Sequence, residues 1–350
     1  MPKIRQCVKQ MDAYVPGESP ENAAIVKLNQ NENRYPPSPN AADAIRRAAT
    51  NMALYPDSTS RSLRVAAAER FGLRPEQVMA TNGSDEMLRI LFNACCDPGD
   101  EALAFSPTYT YYATLAAMHD VRYRTIDLAG EYALPHPVDW RNAVMAIIPN
   151  PNAPTGTLFP EKDLRRLIEA AGDTLIVLDE AYADFSGYTA MPLLGEYENL
   201  VIVRTFSKSY SLAGLRVGLG FGNAALMEQL EKVRDFYNVD SLAQACAEAA
   251  LRDDEYLKST SGKIIRARDR AIAEVRKMGL KTYDSAANFF LVRCGSPDRA
   301  KKTFAGLRER NVLVRYFSNP GINDCIRVSV GTDDDMNAFL SALKDTLGDI

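Results

Sequence analysis

Arg204-Thr-Phe-Ser-Lys-Ser-Tyr-Ser-Leu-Ala-Gly-Leu-Arg-Val-Gly218 is the stretch on which the fold turns. An apolar run, Leu200-Val-Ile-Val203, precedes it and reads as a buried parallel strand. Lys208 therefore falls just beyond the carboxyl end of a strand, where open α/β sheets hold their ligands. Low-dielectric surroundings and nearby cations favour the neutral amine of a lysine so placed. A neutral amine attacks an aldehyde and forms a Schiff base. Thr205, Ser207 and Arg216 add hydroxyls and a guanidinium, the groups that hold a phosphate. A lysine beside a phosphate cradle suggests pyridoxal phosphate. A polar turn with a solvated lysine is the competing reading, and so short a motif does not choose between them.

Outward from this stretch, strands and helices alternate. Val78-Met-Ala80 is a short strand that runs through Thr81-Asn-Gly-Ser-Asp-Glu86 into an amphipathic helix carrying Met87, Leu88, Leu91 and Phe92. The free N–H groups at Gly83, Ser84 and Asp85, with the positive end of the helix dipole, make an anion site. Ser84 and Asp85 also read as plain caps, and the two readings are compatible. Glu101–Phe105 is a strand ending in Ser106-Pro-Thr-Tyr109, where Tyr109 either stacks on a planar ring or simply packs. Ala143–Ile148 is a buried strand that leads into Pro149-Asn-Pro-Asn-Ala-Pro-Thr-Gly156, a rigid loop with amide side chains at the same sheet edge. Leu175-Ile-Val-Leu178 ends in Asp179-Glu-Ala-Tyr182. An aspartate abutting four apolar residues is a helix cap or a buried charge that needs a cationic partner. A protonated pyridine nitrogen is such a partner, and the pairing makes the ring an electron sink. Val217–Phe221 closes the series. Its Gly218-Leu-Gly-Phe-Gly222 run lacks the Gly-x-Gly-x-x-Gly spacing of a dinucleotide loop, which disfavours an oxidoreductase. The alternation from 78 to 222 predicts a mostly parallel sheet wrapped by helices, with further helices over Met227–Tyr237 and Leu242–Leu251.

The character shifts near residue 257. A charged helix over Lys258–Met278 is followed by a strand at Asn288–Arg293, a helix at Asp298–Asn311 and strands near Val312–Tyr316 and Cys325–Val330. A last helix starts at a Thr332 cap, which makes a compact α+β lobe. Arg315 and Arg327 sit in otherwise apolar strands, each paired with an acid or with an anion. At the other end, prolines punctuate residues 1–37, and Leu28-Asn-Gln-Asn-Glu-Asn33 is either a solvated loop or an arm lining a cleft. Ser38 or Asn40 caps a helix to about Ala49, and Leu54-Tyr-Pro-Asp57 is a turn with an exposed aromatic.

Bulk properties exclude several classes. The 350 residues suit two lobes at ~100–200 residues per domain. A net charge of −4 without a long basic block argues against nucleic-acid and anionic-membrane partners. No apolar run is long enough to span a bilayer, and residues 1–16 lack the core of a secretion signal. Six cysteines without a Cys-x-x-Cys pair read as buried, reduced thiols of a cytoplasmic protein. Two histidines leave little material for a Ser-His-Asp or multi-histidine metal mechanism, and no metal is expected.

The Gly-Ser-Asp helix start, the Asn-Ala-Pro-Thr-Gly loop, the Asp-Glu-Ala-Tyr strand end and Ser-Lys with a downstream arginine occur in that order. Together they resemble the fold-type I, aspartate-aminotransferase-like pyridoxal-phosphate enzymes along nearly the whole chain. Within these, Leu28–Asn33, Tyr55-Pro-Asp57, Arg204–Lys208, Leu212–Gly218, Ala287-Asn-Phe289 and Cys325–Thr332 are similar to the histidinol-phosphate aminotransferases. The resemblance implies an α/β fold with a mostly parallel seven-stranded sheet between helices and a smaller α+β C-terminal domain. It implies an N-terminal arm (1–30) packing on the small domain, a large cofactor domain (31–256) and the small domain itself (257–350). The implied activity is amino transfer between histidinol phosphate and 2-oxoglutarate.

By the same resemblance, Lys208 carries the Schiff base and moves the proton between Cα and C4′. Asp179 pairs with the pyridine nitrogen, Tyr182 and a displaced Asn152 face the 3′-oxygen, and Tyr109 stacks on the ring. Gly83, Ser84, Asp85, Thr205, Ser207 and Arg216 hold the phosphate. Tyr55 reaches the cofactor of a second subunit in a homodimer. Tyr14, Asn29, Arg315 and Arg327 bind substrate. Two positions depart from the family pattern: Ala153 stands where a second Asn is usual, and Arg34 where Pro is frequent. Aromatic amino acid aminotransferases and threonine-phosphate decarboxylases share these motifs. A non-catalytic pyridoxal-phosphate-binding regulator is the reading from another class, and the acidic chain shows no DNA-binding extension for it.

Overall fold

A computed structural model describes residues 2–11, 18 and 24–350. Its strands are β1 (Val26–Lys27), β2 (Val78–Thr81), β3 (Glu101–Ser106), β4 (Arg122–Asp127), β5 (Ala143–Pro149), β6 (Leu175–Asp179), β7 (Leu200–Thr205), β8 (Gly218–Gly222), β9 (Lys281–Thr282), β10 (Phe289–Arg293), β11 (Val312–Leu313), β12 (Arg315–Tyr316) and β13 (Cys325–Ser329). Seven of them form one sheet in the order β2-β8-β7-β6-β5-β3-β4. Only β8 runs antiparallel to its neighbours. The expected mostly parallel sheet is therefore present. Its central strands are apolar throughout because helices cover both faces. Alternate side chains feed two cores: Ile176, Leu178, Leu200 and Ile202 enter one, and Val177, Val201 and Val203 the other.

The glycines of β8, which do not fit a dinucleotide loop, answer a packing demand. Helix Ser84–Cys95 lies directly on that strand. A Cβ at Gly218 would stand 2.5 Å from both the Gly83 carbonyl carbon and the Ser84 nitrogen, and one at Gly220 would stand 2.3 Å from Met87 Sδ. Gly218→Ala is therefore expected to destabilise the protein by about 1–3 kcal/mol and to weaken anion binding at the start of that helix. Urea unfolding and phosphate-ester affinity of the purified variant are the measurements.

A buried ionic cluster ties β6 to β7. Arg204 Nη1 lies 3.3 Å from Glu180 Oε2, and its Nη2 pairs with Asp184. Glu180 also accepts from the Thr189 hydroxyl at 2.7 Å, and the Ser209 hydroxyl donates to Asp184 at 2.5 Å. Burial pushes the Glu180 carboxyl up, and Arg204 opposes that. With its partners satisfied, the cluster holds rigid the two loops that follow Asp179 and Thr205.

A second, antiparallel sheet has the order β12-β13-β10-β9. It is covered by helices Asp254–Lys277, Pro297–Glu309 and Asp333–Asp349 around its own apolar core. The expected strand over 312–316 divides into β11 and β12, because its first half pairs parallel with β1 and its second half antiparallel with β13. Leu28, just after β1, belongs to this second core. The helix expected over 227–237 ends at Glu231; Tyr237 adopts φ 55, which a right-handed helix cannot accommodate, and Phe236 faces solvent. Ser38, not Asn40, caps the helix Pro39–Ala48. Of the cysteines, Cys246, Cys294 and Cys325 are buried and Cys7, Cys95 and Cys96 only partly so. Among the described residues, no helix is long and apolar enough to cross a membrane.

Candidate active site

The carboxyl ends of β2, β3, β5, β6 and β7 open on one side, because parallel strands deliver their following loops to a common edge. A cavity of about 400 Å³ lies there, lined from this sheet by Ser84, Asp85, Tyr109, Asp179, Tyr182, Thr205, Ser207, Lys208 and Arg216. Asn29, Arg315 and Arg327 line it from the side of the second sheet. Residues more than two hundred positions apart thus line one cavity.

Lys208 is half-buried, with Nζ 3.2 Å from the Gln30 carbonyl oxygen and 5.9 Å from the Tyr182 ring centre. Burial, reinforced by the Arg327 charge, lowers its pKa to about 8. A sizeable neutral fraction therefore exists near neutral pH, as a nucleophile or proton acceptor requires. Asp179, the last residue of β6, is buried and pushed up to about 6 by burial. The Tyr112 hydroxyl donates to its Oδ2 at 2.7 Å, and the Ala181 N–H donates to Oδ1 at 3.1 Å. A carboxylate so placed suits a cationic ring atom.

The anion cradle forms where helix Ser84–Cys95 begins at Gly83. Arg216 adopts φ 54, which turns its guanidinium back over the helix start. Its Nη1 donates to Ser207 Oγ at 3.1 Å and its Nη2 lies 3.1 Å from Asp85 Oδ2. Gly83 itself has φ +76, and a Cβ there would sit 2.7 Å from Arg216 Nη2, so only glycine leaves the guanidinium its place. Thr205 Oγ1 accepts from the Ser207 N–H at 3.1 Å, which shapes the turn that presents both hydroxyls.

On the opposite wall, Arg315 and Arg327 are register partners across β12 and β13. Arg327 Nη2 donates to the Asn29 carbonyl at 2.9 Å, and its guanidinium lies 5.3 Å from the Phe289 ring centre and 5.5 Å from that of Phe317. The Arg315 guanidinium also lies near Phe317, at 5.8 Å from the ring centre.

Other expected residues stand elsewhere. Asn152 is buried, and its Nδ2 donates to Pro107 O at 3.1 Å and to Thr155 Oγ1 at 2.8 Å, so its amide ties this loop to the segment after β3. Ala153 takes the cavity position instead, packed with Ala287 and Phe289. Arg34 pairs with Asp335 at 3.2 Å, away from the cavity. Tyr55 is 82% exposed and stacks on Tyr237 at 4.6 Å in a separate surface groove. Tyr14 lies outside the described residues. Tyr112 and Asn31 line the cavity without having been anticipated. Tyr112 had a signal, since it sits one helical turn beyond Tyr109; Asn31 had none that separates it from the other asparagines of its segment.

A lysine past β7, an aspartate ending the adjacent β6 and an anion-binding helix start after β2 define a fold-type I pyridoxal-phosphate transferase. Solved structures share the architecture. The histidinol-phosphate aminotransferase from Sinorhizobium meliloti, in complex with pyridoxal-5′-phosphate, matches with a TM-score of 0.90 at 26% identity over 100% of this chain and 98% of that one. The L-threonine-O-3-phosphate decarboxylase from Porphyromonas gingivalis matches in fold with a TM-score of 0.82 at 23% identity, over 93% of this chain and 100% of that one. In sequence, the histidinol-phosphate aminotransferase of Geotalea daltonii is 42% identical over 98% of this chain and 99% of its own length. The aminotransferase class I and II family matches residues 23–343. The chain belongs to that family and is an aminotransferase.

Proposed function

We propose that this aminotransferase uses pyridoxal 5′-phosphate to move the amino group of L-histidinol phosphate to 2-oxoglutarate, giving imidazole-acetol phosphate and glutamate in histidine biosynthesis. The observation that carries the substrate reading is the Arg315–Arg327 pair, two cations across the cavity from a separate anion cradle. One cradle suits the cofactor phosphate; the pair suits a phosphate or carboxylate on the substrate. The names of the sequence relatives support the same amine.

The donor set fits the cofactor. Gly83, Ser84 and Asp85 through their backbone, with Thr205, Ser207 and Arg216, would hold its phosphate. Asp179 would hold the ring nitrogen, Tyr182 the 3′-oxygen and Tyr109 the ring face. Asn152, whose Nδ2 donates to Pro107 and Thr155, is the displaced candidate for the 3′-oxygen. When bound, the cofactor supplies a cationic ring that takes up the electron pair left as Cα loses its proton. Lys208 Nζ would accept the substrate's Cα proton and return it at C4′. Asp179 keeps the ring cationic, and Tyr112 holds the Asp179 carboxylate in line. Arg315 and Arg327 anchor the anionic end of each substrate so that Cα–H faces Lys208, with Asn29 and Tyr14 as further substrate contacts.

The division into an arm (1–30), a large domain (31–256) and a small domain (257–350) is part of this reading, as is a cytoplasmic location. So is a homodimer. Met52, Leu54, Tyr55 and Phe236 expose a large apolar patch that a second copy would cover, bringing Tyr55 to the neighbouring cofactor phosphate. The decisive experiment compares amine donors with 2-oxoglutarate as acceptor. Histidinol phosphate is expected to exceed phenylalanine and tyrosine by at least about 100-fold in kcat/KM, the scale of a paired charge contact. Equal use of the aromatic amino acids, or carbon dioxide release from threonine phosphate, would replace the reading.

A further inference from the structure

Asn31 lies in the Leu28–Asn33 segment, is 2% exposed and has φ 56. Its polar atoms are all engaged. Its N–H donates to Ser329 Oγ at 2.9 Å, and the Asn288 amide donates to its carbonyl at 2.9 Å. Ser329 Oγ, having accepted one hydrogen, donates its own to Asn31 Oδ1 at 2.9 Å. That bond places Oδ1 at the Ser329 end of the amide. The remaining end, Nδ2, donates to the Tyr182 hydroxyl oxygen at 3.0 Å. A flipped amide would leave the Ser329 hydrogen without an acceptor in this network.

The polarity has a consequence for Tyr182. Its oxygen accepts from Asn31, so its one hydrogen is left to point elsewhere. The Tyr182 side chain packs edge-on against Phe289, at 4.9 Å between ring centres, and its open side is the cavity. The charged groups that face it are Lys208, Arg327, Asp179 and Asp85. Burial raises its pKa, so the phenol keeps its hydrogen.

We infer that Asn31 is a positioning residue: locked by Ser329 of β13, its amide fixes the Tyr182 hydroxyl as a donor into the cavity, toward an acceptor oxygen there. The inference rests on the cavity being the pyridoxal-phosphate site, where that acceptor is the 3′-oxygen. It also assigns work to this segment that Ala153 leaves undone, since Ala153 brings no polar atom to the same wall.

Asn31→Asp tests it with almost no change of shape. The new Oδ2 accepts where Nδ2 donated, which turns the Tyr182 hydrogen away from the cavity. An oxygen anion that loses a donor is protonated more readily. The pH midpoint of the bound cofactor's visible absorption should therefore rise. The added carboxylate charge raises it too, so the same substitution is made in Tyr182→Phe, where only the charge remains. The expected difference between the two backgrounds is roughly one pH unit. Ser329→Ala, which frees the amide to turn over, should give a smaller rise with tyrosine at 182 and none with phenylalanine; it serves as the test should Asn31→Asp not fold. Equal shifts in both backgrounds, or none, would overturn the inference alone. No visible band in the unmodified holoenzyme would overturn the parent reading and this one with it.

Discussion

Lys208→Ala is expected to lower turnover by about 10²- to 10⁴-fold, the range of a lost proton-transfer group, while the fold and most cofactor affinity survive. The side chain reaches into an existing cavity and donates one bond to the protein, to the Gln30 carbonyl. Its removal therefore leaves no packed core void. The cradle at Gly83–Asp85, Ser207 and Arg216 remains to hold a phosphate. Borohydride reduction followed by peptide mapping should place the cofactor covalently on Lys208 in the unmodified enzyme and nowhere in the variant. Single-turnover kinetics of the amine half-reaction supply the rate. Turnover within tenfold of the unmodified enzyme would remove Lys208 from the chemistry and the proposed mechanism with it.

Asp179→Asn is expected to move stability and function in opposite directions. In the absence of cofactor, burial holds the Asp179 carboxyl near 6, against 3.8 for the ordinary group. Its folded-state pKa is raised, so the folded state binds more protons than the unfolded one between those values. Stability is then full below about pH 4 and is lost as pH rises through about 6. Above pH 6 the apoprotein carries an uncompensated buried charge, at a cost of up to about 2–3 kcal/mol. Asparagine removes that charge and still accepts the Tyr112 hydrogen, so the apoprotein should unfold at higher urea at pH 8 than the unmodified one. At pH 4 the two should be nearly equal. With cofactor the order reverses, because the cationic ring loses its counter-charge. Cofactor affinity should fall, and turnover should drop by about 10²- to 10³-fold, the scale of one removed electrostatic contact. Higher cofactor affinity in the variant would show that Asp179 does not face the ring nitrogen.

Much of this site is legible in the sequence because parallel strands are legible. Runs such as Leu175–Leu178 and Leu200–Val203 are apolar since both faces are buried, and a polar residue that ends such a run must lie at the carboxyl edge. That rule puts Asp179, and Lys208 five positions past Val203, near the carboxyl edge; their roles come from the resemblance. Contacts set by long-range packing are another matter. Nothing local tells that Tyr112 donates to Asp179 across 67 positions, or that Asn31 meets Ser329 across 298. The bonds of the Asn152 amide to Pro107 and Thr155 are likewise invisible in the residue types. The helix end at Glu231 has no Gly or Pro to mark it, and Lys232 after it keeps right-handed angles. The split of 312–316 between two sheets needed β1, a two-residue strand too short to carry a pattern.

That split makes residues 312–316 a shared girder. Its first half is laced to Val26–Lys27, two residues before Asn29 and four before Asn31; its second half is laced to the strand that bears Arg327. The ceiling of the chamber and its arginine gateposts are consequently bolted to a single beam. A ligand that tugs on those gateposts pulls on the carbonyl that Lys208 touches, along a route only a few peptide units long.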